Sequence, residues 1–404
     1  MRGGLTRQPG SRLRTVLGAA LLLVAPVVNA LDVTITAEYL GGGTGRFDNT
    51  TPPGGLCRHW PVTCRNRTTV TLPITYEKKT TKGAADPRDE FYLRLPARRE
   101  IDVYHDATGE SRRLTFDWTA INQTVRIPND LYYHPLYQEI LQGGGCRLVS
   151  SGSQFGRPST VRYLYDVLQP SAPLPCWAHG RNAPNGRVEM ASVTETSVAY
   201  AIDITPPFRM PSGTWRGSVT YSIGPGGDFD FGNDVTALSG DSLTVNVVLD
   251  VQHAFIFEFP PGSDRAVLEP PGGWQGWLAG GKPPQRLARD LPFRVWSTGP
   301  FKVYKLCEHY ADTRCAIRNH TADQVPVEVA MSLPAGIEHA GAPVQRLALP
   351  SGRLAALQFD AAMATLNRPG QLHFQVARDD MDGMLRHPGT TYTGQVTVVF
   401  DAEL

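Results

Sequence analysis

Apolar residues recur at every second position through most of this chain. The runs include Val33/Ile35/Ala37, Val70/Leu72/Ile74/Tyr76, Trp215/Gly217/Val219/Tyr221/Ile223 and Leu243/Val245/Val247/Leu249. Further on come Phe255/Phe257/Phe259, Phe301/Val303, Val325/Val327/Val329/Met331/Leu333 and Leu372/Phe374/Val376. A period of two places one set of side chains on one face of a strand, so each run predicts a half-buried β-strand. Clusters of Gly, Pro, Asn and Asp separate them, drawn from 40 Gly and 33 Pro. Short strands separated by turn chemistry predict an all-β fold built as sandwiches. One short helix is expected over Asp130–Leu141, where Leu131, Leu136, Ile140 and Leu141 would share a face despite Pro135.

The last alternating run differs from the rest in its position. Tyr392, Gly394, Val396, Val398 and Phe400 share one face of a strand that runs almost to Leu404. A regular apolar strand needs a neighbour on each side, because an unpaired edge is a template for association. An earlier segment echoes it: PSGTWRGSVTYSI (Pro211–Ile223) matches PGTTYTGQVTVVF (Pro388–Phe400). Strand grammar repeats in any β protein. The sharper reading makes each copy a late strand of its own immunoglobulin-like sandwich, giving two domains. Val251–Phe259 makes a better first strand of a second domain than a last strand of the first, so the boundary is expected near Asp250. The Pro- and Gly-rich Pro260–Gln285 then becomes a loop inside the second domain.

The first thirty residues have a different pattern. Arg2, Arg7, Arg12 and Arg14 precede an apolar run from Val16 to Val28, and Val28-Asn29-Ala30 offers small residues for cleavage. The run is shorter than the ~20 residues that span a bilayer, so residues 1–30 read as a secretory signal rather than an anchor. Their loss removes four arginines and no acid, taking 39 bases against 38 acids to 35 against 38. The resulting balance of −3 excludes a generally basic nucleic-acid binder. The remainder, 31–250 and 251–404, is long enough for two ordinary domains.

Six cysteines follow the export signal as sequential neighbours: Cys57 with Cys64, Cys146 with Cys176, and Cys307 with Cys315. An even count in an exported chain points to disulfides, and short-range pairing is the simplest of fifteen connectivities. The competing reading is a metal site from Cys307, Glu308, His309, Cys315 and His320.

At this point the chain resembles a family. LPFRVWSTGPFKVYKLC (Leu291–Cys307) is similar to the B strand, and YTGQVTVVF (Tyr392–Phe400) to the F strand, of pilin domains of chaperone–usher fimbriae. The two-domain plan resembles tip adhesins, most closely the CblD-like group that includes the CFA/I-type tip adhesins. The resemblance implies a C-terminal pilin sandwich lacking its last strand, completed first by a periplasmic chaperone and then by the N-terminal donor strand of the next, major pilin. It implies an outer-membrane usher, passage through the periplasm, and a place at the tip of a surface fimbria. Tyr392, Gly394, Val396, Val398 and Phe400 would line or support the groove. Glu403 departs from the aromatic that many pilins carry at the penultimate position. The chain begins a strand-like run at Leu31 with no free donor segment before it, which fits a distal subunit unless Leu31–Tyr39 is itself a donor.

The resemblance also implies an N-terminal domain that binds a host-surface glycan or glycoprotein. Sugar sites combine aromatic faces with cationic and polar groups. Two cysteine-bounded loops have those ingredients. CRHWPVTCRNR carries Arg58, His59, Trp60, Arg65 and Arg67, and CWAHGRNAPNGR carries Trp177, His179, Arg181 and Arg187. The candidate receptor residues are Arg58, Trp60, Arg65, Arg67, Trp177 and Arg181, suited to an anionic glycan. The plainer alternative makes the tryptophans core caps and the arginines solvated loop charges.

Other motifs carry less. GWLAGGK (Gly276–Lys282) fits the phosphate-loop pattern but is followed by Pro283 and Pro284, with no helix to hold a phosphate. Asp228, Asp230 and Asp234 lie in a Gly-rich loop whose spacing departs from calcium loops. Asn49, Asn66, Asn122 and Asn319 head glycosylation sequons that matter only in a eukaryotic secretory pathway. No nucleophile, metal-protease or carboxylate-pair signature is present, so neither enzyme activity nor a cofactor is expected. The alternatives to an adhesin are a structural minor pilin or assembly initiator without a host ligand, and a secreted sandwich-fold glycan hydrolase.

Overall fold

The computed structural model describes residues 1, 3, 4, 30–41, 45–387 and 389–402. The expected signal segment therefore lies outside the described residues except at residues 1, 3, 4 and 30, and the Glu403 departure lies outside them altogether. The chain is all-β and folds as two β-sandwich units.

Seven strands frame the first unit: β1 (Ala30–Leu40), β2 (Arg99–His105), β3 (Ser111–Ile127), β4 (Ser159–Val167), β5 (Val188–Ile204), β6 (Gly213–Ser222) and β7 (Ser242–Gln252). The order β5-β3-β2-β6-β7-β1 runs through one large sheet. At seventeen residues, β3 is long enough to take two neighbours along one edge: β2 against Ser111–Phe116, and β4 against Ala120–Ile127. Alternation along these strands sorts side chains between two faces. Ile35, Trp118, Ile121, Tyr163, Val198, Trp215 and Val245 enter the main core. Leu164, Ala120 and Ala199 project the other way, against Leu56.

β1 lies parallel to β7 along its whole length, from Ala30 opposite Ser242 to Leu40 opposite Gln252. Leu31–Tyr39 is thus a paired strand of this unit.

The second unit holds β8 (Phe255–Glu258), β9 (Arg286–Ser297), β10 (Phe301–Cys307), β11 (Arg314–Arg318), β12 (Gln324–Ser332), β13 (Leu357–Ala361), β14 (Thr365–Ala377) and β15 (Val396–Asp401). One sheet runs β8-β9-β14-β12-β11 and the facing one places β10 between β13 and β15. Their inner faces form a separate core containing Phe293, Val295, Val303, Val327, Met331, Phe359 and Val376. The helix Arg378–Leu385 follows β14 directly and buries Met381 against that core.

Two expectations are corrected and one competing reading falls. No strand spans Val251–Phe259: Val251 and Gln252 end β7, with Val251 opposite Tyr39 of β1, and the second unit begins at Phe255. The two strands are separated by His253 and Ala254 alone. The expected helix over Asp130–Leu141 is a single 3-10 turn, Leu131–Tyr133, followed by a short strand, Glu139–Gln142. Its buried partners come from different elements: Leu131 and Leu136 are buried while Ile140 is exposed. The metal reading of Cys307 and Cys315 fails because these two are bonded to each other. The other bridges are Cys57–Cys64 and Cys146–Cys176.

Candidate functional site: a groove between two sheet edges

The echo noted between Pro211–Ile223 and Pro388–Phe400 separates two different situations. β6, from the first copy, is paired on both sides, by β2 and β7. β15, from the second, is hydrogen-bonded only to β10, in register from Val396 opposite Cys307 to Asp401 opposite Lys302. Its other edge has no strand partner among the described residues. The facing sheet has an edge at the same place, because β8 pairs only with β9 and only over Phe255–Glu258. The chain then leaves the sheet, and its next backbone pairing with β9 is the isolated bridge Glu269–Ala288. The backbone of β9 from Arg289 to Phe293 has no partner on that side among the described residues.

Between these two edges runs a groove of about 1420 Å3. That exceeds the ~300–1,000 Å3 of ordinary small-molecule sites and suits an extended chain. Tyr392, Gly394, Val396, Val398 and Phe400 all line it. The strand proper is shorter than the pattern suggested, since regular pairing starts at Val396. Ahead of it, Thr393 exchanges two backbone hydrogen bonds with Arg318, at 2.9 and 2.8 Å. The Tyr392 hydroxyl donates to Asp323 Oδ2 at 2.6 Å; burial, and then that carboxylate, push the phenol's pKa up. At Gly394 a Cβ would come 2.9 Å from the Ala316 carbonyl oxygen, so the close approach needs glycine. The floor is apolar, with Leu287, Leu291, Val327 and Leu372 from the facing sheet. The Pro260–Gln285 loop supplies the far wall through Leu268, Trp274 and Trp277, none of which sequence reasoning assigned to a site.

The two candidate receptor loops lie on opposite faces of the large sheet of the first unit. The Cys57–Cys64 loop packs through Leu56 on Leu164, Ala120 and Ala199. The strand Cys176–Gly180 packs through Cys176 and Ala178 into the main core, on the side of Tyr163 and Tyr165. Adjacent residues of one strand, Tyr163 and Leu164, thus point to different loops, which do not combine into one site.

Within the first loop, Trp60 is half-buried against the Leu56–Leu164 cluster, with His59 edge-on to its ring. His59 Nε2 lies 3.1 Å from Glu195 Oε2; burial pushes the Glu195 carboxyl up, and the His59 hydrogen bond and other partners more than reverse it. Arg67 donates to Asp166 Oδ1 at 2.6 Å, and Arg147 to Oδ2 at 2.8 Å. Burial raises the pKa of Asp166, but these two arginines hold it low. Arg58 remains 73% exposed in its side chain, and Arg65 is exposed. Arg65 and Arg67 line a hollow of about 290 Å3 beside the disulfide, with Asn49, Pro53, Pro61 and Thr69.

In the second loop, Trp177 stacks on Tyr92 with ring planes 14° apart and is covered by Gly143, where a Cβ would meet the indole at 2.4 Å. His179 Nδ1 lies 2.8 Å from the buried Glu90 carboxylate. Arg181 is exposed, and its carbonyl accepts from Lys82 Nζ.

The acidic loop holds arginines rather than a cation site. Asp230, 1% exposed, is bidentate with Arg88, and Asp228 pairs with Arg99. Burial raises the Asp230 carboxyl, and the Arg88 hydrogen bonds, the Gly232 and Gly226 amides and the Arg88 charge together leave it low. No group of three or more potential metal ligands occurs among the described residues.

No family model matches this sequence, and no curated protein does. Among solved structures, one match is the CsuC–CsuE chaperone–tip adhesion subunit pre-assembly complex from the archaic chaperone–usher Csu pili of Acinetobacter baumannii. It is 10% identical, with 93% of this chain and 99% of that chain covered, at a TM-score of 0.22. A superposition that loose assigns no role to any residue of this chain.

Proposed function

We propose that this protein is a non-enzymatic fimbrial tip adhesin, whose C-terminal sandwich is completed by a strand from another polypeptide. In this reading the first unit, ending at Gln252, forms the receptor-binding domain and the second, beginning at Phe255, the pilin domain. The observation that carries the reading is the open groove between β15 and the β8–β9 edge. Two unpaired backbone edges facing an apolar channel are the requirements for strand addition: hydrogen bonds give affinity, and alternate pockets give selectivity. Tyr392, Gly394, Val396, Val398 and Phe400 are the acceptor residues. The occupants are a periplasmic chaperone during export and then the N-terminal strand of a neighbouring pilin, added at an outer-membrane usher. Residues Leu31–Tyr39 pair with β7 as part of an eleven-position ladder, which favours a structural role for them within the first unit.

For the receptor, the hollow beside Cys57–Cys64 offers Arg65 and one side of Arg67 to an anionic group on a host-surface glycan. A second reading, a minor pilin or assembly initiator without host ligand, gains from one observation. Trp60 is packed against Leu56, Trp177 is stacked on Tyr92 and Arg67 is engaged by Asp166, so three of the six candidate residues serve the fold. Glycan binding by the intact protein separates the two readings. An adhesin binds sialylated probes and loses them on Arg65→Ala; an initiator binds none, yet still takes up a donor strand.

A further inference from the structure

The groove differs from end to end, and the difference limits what can fill it. At one end the two sheets touch through edge-strand side chains. Phe257 of β8 and Phe400 of β15 have ring centroids 4.0 Å apart, and Phe257 also packs on Phe293 at 4.1 Å. A strand inserted between two others separates them by a further ~4.8 Å spacing. No strand fits between β8 and β15 while these rings are in contact.

The opposite end is open and broad. Glu269 returns to the sheet at Ala288, seven residues along β9 from Val295, the partner of Phe257. At ~3.3 Å per residue that is about 23 Å from the phenylalanine contact. Trp274 follows five residues later, with its ring 5.9 Å from that of Trp277. The helix Arg378–Leu385 starts immediately after Ala377, the partner of Arg286, and brings Met381 and Met384 to the same end. Tryptophan and methionine walls around open space suit a large apolar guest, since the thioether side chain adapts to shape.

We propose that the donor strand is short and asymmetric. It lies against the edge from Tyr392 to Val398, about seven residues or ~23 Å. It carries its bulkiest apolar side chain at the Trp274–Trp277–Met384 end and stops before the Phe257–Phe400 contact. This rests on the strand-acceptor reading above and adds a length limit and a polarity of side-chain size to it. The occupant is a segment of a different polypeptide, because this chain's own first strand is held by β7.

The test uses the intact protein and capped peptides of alternating Thr and Val with two lysines outside the alternating stretch. Lengths of five, seven, nine and eleven residues are compared, each with a single Phe at the first or last alternating position. Calorimetric affinity is expected to rise at least tenfold from five to seven residues and then stay within about twofold. One Phe placement binds about tenfold tighter than the other, and that preference collapses in Trp277→Ala. In Phe257→Ala the gain resumes from seven to nine residues. Steady gains up to eleven residues in the unaltered protein, or equal binding of the two Phe placements, overturn the length limit and the asymmetry while leaving strand acceptance intact. Failure of every peptide to bind overturns strand acceptance itself. The unaltered-protein series decides the matter even where Phe257→Ala does not fold.

Discussion

Phe257 and Phe400 lie on two different sheets, each on an edge strand, and their rings meet at 4.0 Å. Phe293 joins them from β9, and Phe255 lies 6.2 Å from Phe400. This cluster joins the two sheets of the second unit at the edge where β15 has no second strand partner among the described residues. Phe400→Ala removes a half-buried ring from it and is expected to cost about 2 kcal/mol. Because the first unit has its own core, calorimetry should show a lowered transition for the second unit and an unchanged one for the first.

His134 makes the first unit acid-sensitive. The ring is fully buried, its Nε2 donates to the Val125 carbonyl, and its Nδ1 accepts from the Leu136 amide. Both nitrogens are committed to the neutral tautomer, and burial lowers the pKa from 6.5 to about 4. The unfolded chain therefore binds the proton first, and stability falls as pH drops through the window from 6.5 to 4. The loss approaches on the order of 3 kcal/mol at its lower end. Denaturant midpoints at pH 7 and pH 4.5 should diverge in the unaltered protein and converge in His134→Gln.

Arg65 and Arg67 are neighbours in the same hollow but should behave differently. Arg67→Ala leaves Asp166 with Arg147 alone and should lower stability by about 1 kcal/mol. Arg65→Ala touches no ion pair and should leave the melting temperature unchanged. Loss of glycan binding in Arg65→Ala at constant stability assigns the hollow to the receptor; unchanged binding removes it from consideration.

How much of this was legible in the sequence depends on the kind of feature. Strand identity was, because period-two runs such as Leu243–Leu249 and Val325–Leu333 are buried on the face their alternation marks. The junction between units was not. From Leu243 to Phe259 the odd-numbered positions stay apolar except at His253, so the pattern continues across a chain that changes sheets at His253 and Ala254. Parity marks Val396, Val398 and Phe400 as one face of the strand, but ahead of Val396 residues of both parities, Thr393 and Gln395 included, line the groove. The tryptophan wall was not legible, because Pro260–Gln285 has no period and its place depends on the return at Glu269. The placing of Trp60 and Trp177 on opposite faces required the sheet itself, where Tyr163 and Leu164 point apart.

Cys315 is fully buried beside Ala316 and Ile317, which line the groove. The Cys307–Cys315 bridge therefore ties β10, the partner of β15, to β11 on the facing sheet. Replacing both cysteines by Ser should destabilise the second unit by about 2–4 kcal/mol and leave the first unchanged. Separate calorimetric transitions would show it.

The central claim is that the edge of β15 takes its missing neighbour from another chain. The most direct measurement is amide hydrogen exchange across Tyr392–Phe400 in the intact protein, with and without saturating seven-residue donor peptide. Strand acceptance predicts that exchange across Tyr392–Val398 slows at least tenfold on binding, while β6 and β7 are unaffected. Unchanged exchange along that edge at saturating peptide, or protection already complete without it, would contradict the account.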